Sequence, residues 1–194
     1  MNRAAYIGSD FRDEWRRAAN WLVHEAEEGR GFNVVELQGT PGSAPAIGRK
    51  RGFDEALSGD ARFRRLASYE GDFTRAKGRS LMEQALREHS REIGIVYAHN
   101  DDMALGAIEA IEAFGLKLGK DIRIISVDAT RAALKALSIG KLNLVVECDP
   151  LLGPQLMKAV KDLVAGKELP MKIVTAEGLF TPQSAKVELG NREF

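Results

Sequence analysis

Two spacings of apolar residues alternate along this chain. Short apolar runs, typical of buried strands, are followed by longer stretches in which apolar residues recur at helical spacing, as Ala18, Trp21 and Leu22 do. Strands are predicted at 4–8, 32–37, 63–69, 93–98, 122–127 and 142–147, and helices at 14–28, 44–57, 74–89, 102–114 and 130–139. Strands that alternate with helices predict an α/β fold, with an open, mostly parallel sheet and helices on both of its faces.

The regular alternation of predicted strands and helices ends after Pro150. A helix is predicted at 152–165, a turn at 166–170, a strand at 172–176 and a short helix at 181–188. We find no internal repeat and no low-complexity linker. The length of 194 residues fits one large domain, or one domain and a fraction of another.

Polar side chains follow most of the predicted strands, at the point where each strand ends. They are densest after the fourth strand, at Asn100, Asp101 and Asp102. In open α/β sheets this carboxyl edge is where ligands bind. Each polar residue alone is explained equally well as a helix N-cap. The combination of Arg49, Phe73, Asn100 and Asp128 is harder to explain as capping, because a cap needs neither a long cation nor an exposed aromatic ring.

This combination suits a small polyhydroxy ligand. Hydroxyl groups need donors and acceptors in pairs, and the apolar face of a sugar ring packs on an aromatic plate. A phosphate ligand is disfavoured, because the edge has no glycine cradle and two carboxylates would repel an anion. The pair Asp101 and Asp102 fits helix capping and ligand binding better than acid–base or metal chemistry. Cys148 fits a buried small side chain better than a nucleophile. We therefore expect a binding protein rather than an enzyme.

Composition narrows the class of protein further. Lys plus Arg and Asp plus Glu both total 28, and this zero net charge argues against a nucleic-acid partner. No apolar run is long enough to span a membrane, and the first ten residues lack the apolar core of a signal peptide. A single cysteine excludes an internal disulfide. The three histidines do not have metal-ligand spacing, so neither a metal nor a cofactor is predicted.

The chain resembles the type I periplasmic sugar-binding proteins of the ribose and galactose class, and more narrowly the galactofuranose-binding branch that serves ABC transporters. The matching segments run from end to end of the chain: YIGSDF (6–11), RRAANWL (16–22), VVELQGTPGSAPAIGRKRGF (34–53), GDFTRAKG (71–78), VYAHNDDMALGAIEAI (96–111), SVDAT (126–130) and VECDPLLGP (146–154). The resemblance implies two α/β lobes, each of flavodoxin-like topology, joined by a hinge of crossing segments. The ligand lies between the lobes.

The resemblance also implies sugar contacts at Arg49, Phe73, Asn100 and Asp128. Glu147 and Cys148 would lie at a hinge crossing that lines the cleft, and Ser9 and Asp10 would lie where the chain enters the lobe. Implied partners are a monosaccharide and an ABC permease.

The resemblance divides the chain into three parts. Residues 1–148 match the C-terminal lobe, 149–178 match a strip that returns to the other lobe, and 179–194 match a tail that comes back to the first. Full-length members are periplasmic and begin with a signal peptide and most of the first lobe. We therefore expect a truncated chain with half a ligand site, which alone binds sugar weakly or not at all.

The helix at 152–165 has an apolar stripe that a full-length relative would bury against its first lobe. Its members are Leu152, Leu156, Val160, Leu163 and Val164. An exposed stripe of this kind drives association. We expect the helix either to pack onto its own lobe in a new way or to form a homodimer, in which this segment could be swapped between the two chains.

Two other classes of function stay open. Transcription regulators of the lactose-repressor class share the fold, and this chain could be their effector-binding domain. The segments HNDDMALGAI and ECDP favour the transport branch. A flavodoxin-like enzyme or signalling domain would need a divalent ion among acidic residues such as Asp101, Asp102 and Asp128.

Overall fold

A six-stranded sheet forms the centre of the fold in the computed structural model, which describes residues 5–26 and 31–194. Its strands are β2 (Phe32–Gln38), β3 (Phe63–Glu70), β4 (Ile95–Ala98), β5 (Arg123–Asp128), β6 (Leu144–Glu147) and β8 (Leu179–Phe180). They are ordered β3-β2-β4-β5-β6-β8, and only β8 is antiparallel to its neighbour. A separate two-stranded parallel sheet pairs β1 (Tyr6–Gly8) with β7 (Lys172–Val174).

Helices cover both faces of the larger sheet, which confirms the predicted α/β class. They are α1 (Phe11–Glu25), α2 (Ala44–Leu57), α3 (Arg75–His89), α4 (Asp101–Phe114), α5 (Arg131–Ser138), α6 (Gly153–Val164) and α7 (Pro182–Glu188). Strand β4 is buried on both sides. Ile95 and Tyr97 pack towards α1 and α2, whereas Val96 and Ala98 pack towards α3, α4 and α5. Such a strand reads as a continuous apolar run, as parallel strands usually do.

Helix boundaries follow local capping chemistry. Asp10 accepts a hydrogen bond from the Asp13 amide, so α1 begins at Phe11, earlier than the predicted residue 14. The predicted end of this helix, at residue 28, lies outside the described residues. Asn100 caps α4 in the same way, and Gly115 ends α4 with a left-handed backbone (φ 83°), as a helix C-cap requires.

Close approaches between helices depend on glycine. A side chain at Gly106 of α4 would overlap the carbonyl oxygen of Arg75 in α3, and one at Gly52 of α2 would overlap that of Arg12 in α1. These contacts fix the first turns of α1 and α3 beside the carboxyl edge of the sheet.

The region after Pro150 divides between the two sheets. Strand β7 joins β1, whereas β8 and α7 return to the larger sheet, where Ala185 of α7 is buried in the core. The division at 148 and 178 into parts of two lobes stays a prediction. No helix within residues 5–26 and 31–194 combines the length and the apolar character that crossing a membrane requires.

Candidate functional site

The carboxyl ends of β3, β4 and β5 bring four predicted residues to one edge of the sheet. Arg49 reaches this edge from α2 and donates to the Asp128 carboxylate at 3.3 Å. Asn100 donates from its side-chain nitrogen to the backbone oxygen of Phe73 at 3.0 Å. We call Arg49, Phe73, Asn100 and Asp128 the rim.

Arg49 is the most constrained member of the rim. Only 3% of the residue is exposed. Its Nε donates to Glu14 at 3.0 Å, Nη1 donates to the backbone oxygen of His99, and Nη2 donates to Asp128. The guanidinium therefore joins α1 to the ends of β4 and β5.

Asp128 has an unusual backbone. Its φ is 124°, and that of Ala129 is 63°. Residues other than glycine rarely adopt these backbone angles. Backbone strain of this kind is found more often at functional sites than elsewhere. The Asp128 side chain is 30% exposed, so its carboxylate presents an acceptor to solvent.

Asp101 lies beneath Asp128 and is fully enclosed. Its carboxylate accepts from the Ser126 hydroxyl at 2.6 Å, and from the amide and hydroxyl of Thr130 at 2.7 and 2.9 Å. Burial and the nearby charge of Asp128 raise the pKa of Asp101 to about 8. Burial also raises the pKa of Asp128, to about 6, although Arg49 opposes the shift. Arg49 therefore compensates carboxyl groups that are crowded together.

We expect Asp101→Asn to weaken the pH dependence of stability. The folded-state pKa of Asp101 lies above the ordinary value of 3.8, so the folded state holds the proton more tightly. The tighter binding of this proton stabilises the folded state. The stabilisation is complete at pH values below the pKa of Asp101 in the unfolded state, and it is lost as the pH rises towards about 8. Urea unfolding between about pH 5 and pH 8 should therefore show a shallower decline in the variant than in the unmodified protein. Equal slopes in the two proteins would contradict this assignment.

Asn100 and Phe73 are joined by the hydrogen bond from the Asn100 side chain to the Phe73 backbone oxygen. The Asn100 oxygen accepts from the Met103 amide, so this residue caps α4 as well as holding the loop after β3. Phe73 has a left-handed backbone (φ 60°), and its ring lies where a side chain at Gly39 would be. The ring is half-buried, so one part of it remains available as an apolar plate.

The other four predicted residues lie beside the two-stranded sheet and β6, and their polar groups have partners within the chain. Asp10 caps α1 and pairs with Lys172. Glu147 accepts from Arg192 and from the Gly178 amide. The Ser9 hydroxyl lies 3.2 Å from the Cys148 sulfur and donates to Glu177.

Cys148 lies in an acidic pocket. Burial and the neighbouring charge of Glu14 raise the pKa of its thiol to about 12, which disfavours the reactive thiolate. Ligand atoms of Glu14, Cys148 and Glu177 lie within 4.8 Å of one another, a spacing that a metal ion could use. Glu177 already accepts from Ser9, Thr175 and the Asp149 amide, and Glu14 accepts from Arg49. These hydrogen bonds engage Glu177 Oε1 and Glu14 Oε2, whereas Glu14 Oε1 is left without a partner in good hydrogen-bond geometry in the part of the chain that the structure describes.

The sequence analysis did not identify two buried acids, Glu14 and Glu36. Glu36 lies inside β2, where its carboxylate contacts His99 Nε2 at 3.1 Å and Lys50 Nζ at 3.1 Å. Burial alone would raise its pKa, but hydrogen bonds from His99 and Ser68 lower it to about 2. Both acids had a sequence signal: Glu36 interrupts an apolar strand, and Glu14 shares a helix face with Ala18 and Leu22.

Comparison with known proteins shows similarity along most of the chain. The profile of a periplasmic binding protein domain matches residues 1–168. The galactofuranose-binding protein YtfQ of Escherichia coli is 40% identical over 183 residues, which are 93% of this chain and 57% of that protein. The ribose import binding protein RbsB of Bacillus subtilis is 36% identical over 154 residues, 76% of this chain and 48% of that protein. The chain thus spans about half the length of these relatives.

Solved structures show the same similarity. A Mycobacterium smegmatis protein in complex with β-D-fucofuranose is 46% identical, with a TM-score of 0.88, over 96% of this chain and 62% of that one. The binding protein of an arabinose ABC transporter from Shewanella sp. ANA-3, bound to α- and β-L-arabinofuranose, is 37% identical, with a TM-score of 0.90, over 97% of this chain and 63% of that one.

Proposed function

This chain belongs to the periplasmic binding protein domain family, and on that premise we propose that its rim binds a monosaccharide for an ABC sugar transporter. The observation that carries the proposal is the position of Arg49, Phe73, Asn100 and Asp128 at one sheet edge, where hydrogen bonds join them in two pairs, Arg49 with Asp128 and Asn100 with Phe73. Three of the four proteins compared above are named with furanose sugars, namely galactofuranose, fucofuranose and arabinofuranose, and the fourth is named with ribose. We therefore propose a sugar in its five-membered ring form, and a periplasmic location like that of the family.

Each part of the rim has a distinct task in this proposal. Asp128 accepts hydrogen bonds from sugar hydroxyls, because its carboxylate is the partly exposed one. The Phe73 ring packs on the apolar face of the sugar. Arg49 and Asn100 hold these two residues in place through their own hydrogen bonds. Binding makes and breaks no covalent bond, which agrees with a family of binding proteins rather than enzymes.

The transport mechanism we propose is cleft closure. The rim forms one wall of the cleft, and a second wall closes over the bound sugar by shifting an existing equilibrium between open and closed forms. The permease would recognise the closed form. Since the described residues supply one wall, we expect the chain alone to bind sugar weakly. Two of the relatives reported above are named for ribose import and for an arabinose ABC transporter, and nothing in the comparisons favours the regulator alternative.

Asp128→Ala tests the assignment of the acceptor. Hydrogen bonds to a charged group contribute roughly 1.5–3 kcal/mol, so we expect the variant to lose at least about tenfold in affinity for L-arabinose or D-galactose. Saturation-transfer NMR titrations at millimolar sugar would measure the change. Glu112→Ala is the matched control, because Glu112 is an exposed carboxylate at the far end of α4. Equal affinities of the two variants would refute the role of Asp128 as a hydrogen-bond acceptor. Micromolar binding of sugar by the unmodified chain would refute the proposal that this chain supplies only half of the ligand site.

We also propose that the chain forms a homodimer through α6, with exchange of this segment as one form of it. The support is that α6 and its approach keep six large apolar side chains exposed: Leu151, Leu156, Met157, Val160, Leu163 and Val164. Leu152 of the predicted stripe is half-buried, but the described part of the chain does not cover the other four stripe residues by new packing on its own lobe, which was the other prediction.

Charge placed on the stripe should separate the dimer. We expect the unmodified chain to sediment as a dimer at micromolar concentration and the double variant Leu156→Glu, Val160→Glu to sediment as a monomer, because two buried carboxylates would be uncompensated. Lys158→Gln, on the polar face of α6, should leave the dimer intact. A monomer for the unmodified chain in analytical ultracentrifugation would rule out the dimer.

A further inference from the structure

Glu14 is a buried acid that the proposed sugar contacts do not use. It lies in the first turn of α1, and only 1% of the residue is exposed. Its Oε2 accepts from Arg49 Nε at 3.0 Å. Its Oε1 is buried and meets no partner in good hydrogen-bond geometry among residues 5–26 and 31–194, although the Cys148 thiol is close enough to lower the pKa of Glu14 slightly. A carboxyl in this position costs free energy, so it calls for an explanation beyond helix formation.

The geometry of Arg49 supplies that explanation. A guanidinium is planar, and its donors point in fixed directions. An acceptor on Nε therefore determines where both Nη groups point. In this structure Nη1 meets the His99 backbone oxygen and Nη2 meets Asp128, while the Phe11 ring centre lies 5.6 Å from the guanidinium carbon. Without the bond to Glu14, the guanidinium group can rotate, and its Nη2 no longer has to face Asp128.

We propose that Glu14 is a positioning residue of the sugar-binding rim, which fixes the Arg49 guanidinium so that Arg49 orients Asp128 towards the ligand. The proposal rests on the proposed function. Glu14 does not touch the sugar itself, because both of its oxygens are enclosed or bonded within the protein.

The neighbours of Glu14 indicate that its oxygen matters more than its charge. Cys148 and Glu177 lie close to the Glu14 carboxyl, and burial raises the pKa of Glu14 to about 7, although Arg49 opposes the shift. At neutral pH a substantial share of this group is therefore protonated. The neutral amide of glutamine has the same length and can accept from Arg49 Nε. The aspartate carboxylate is one methylene shorter.

The experiment compares Glu14→Gln, Glu14→Asp and Glu14→Ala with a control, Glu55→Ala. Glu55 forms ion pairs with Arg12 and Arg51 on the surface of the same two helices. Two quantities are measured for each folded variant: the NMR signal of the Arg49 Nε–H group and the affinity for L-arabinose or D-galactose. If Glu14→Ala does not fold, Glu14→Asp alone is compared with Glu14→Gln and with the control.

We expect Glu14→Gln to keep the Arg49 signal and an affinity within about twofold of the unmodified chain. We expect Glu14→Asp to lose the signal and about tenfold in affinity, and Glu55→Ala to change neither. Unchanged affinity in Glu14→Asp would overturn the positioning role alone, and so would an equal loss in Glu14→Gln. No binding of millimolar sugar by the unmodified chain would overturn the weak binding proposed above, whereas an Arg49 signal that Glu14→Asp leaves unchanged would overturn the positioning role whether or not sugar binds.

Discussion

Replacing Arg49 with alanine should lower the free energy of unfolding by about 3–5 kcal/mol, a typical cost of breaking a buried ion pair from one side. The reason is local charge. Arg49 is buried and forms ion pairs with both Glu14 and Asp128. Without the guanidinium, these acids must take up protons or remain charged without compensation. The His99 backbone oxygen also loses its donor.

Urea unfolding followed by circular dichroism measures this loss at neutral pH. Arg51→Ala is the matched control, because Arg51 lies on the same helix with 65% of its side chain exposed and pairs with Glu55. An exposed pair of this kind contributes little to stability, because solvent screens it. Equal losses in the two variants would show that Arg49 does not compensate the buried acids. The loss in Arg49→Ala should also become smaller at lower pH, where the acids are protonated.

Replacing Gly106 with alanine should cost about 1–3 kcal/mol and also disturb the rim. The new methyl group would overlap the carbonyl oxygen of Arg75 and approach the Arg79 amide, both in the backbone of α3. Backbone atoms cannot move aside as a flexible side chain can, so α3 and α4 must separate. Arg75 begins α3 and follows Phe73 by two residues, so the separation moves the aromatic plate.

Thermal unfolding and the amide NMR signal of Phe73 measure the two parts of this prediction. Gly94→Ala is the control, since a methyl group at Gly94 would meet its nearest atoms at 3.7 Å, an ordinary contact distance. We expect the control to change the free energy of unfolding by no more than about 1 kcal/mol. If the Gly106→Ala protein is as stable as the control and its Phe73 signal does not move, then α3 and α4 can accommodate a methyl group at Gly106 without separating.

Much of this fold follows from the sequence because its signals are local. Buried parallel strands such as β4 are continuous apolar runs, and Asn100 and Gly115 mark the two ends of α4. Strand β8 was missed because two residues carry no periodicity, and its pairing with β6 depends on a chain reversal far along the sequence.

The rim could be placed on one edge because parallel strands align their carboxyl ends. The partners of its members could not be predicted in the same way. The bond between Arg49 and Glu14 joins residues 35 positions apart, and that between Arg49 and Asp128 joins residues 79 apart. A sequence pattern shows that Glu14 lies on a buried helix face, but only the packing of α1 on α2 shows which cation it meets.

The most direct test of the central claim is a titration of the isotope-labelled chain with L-arabinose or D-galactose, followed through its backbone amide signals. We expect millimolar sugar to shift the amides of Phe73, Asn100 and Asp128 and of their neighbours, and to leave those of α6 unchanged. Shifts scattered over the surface, or none at the rim, would contradict the proposal that this edge binds a monosaccharide.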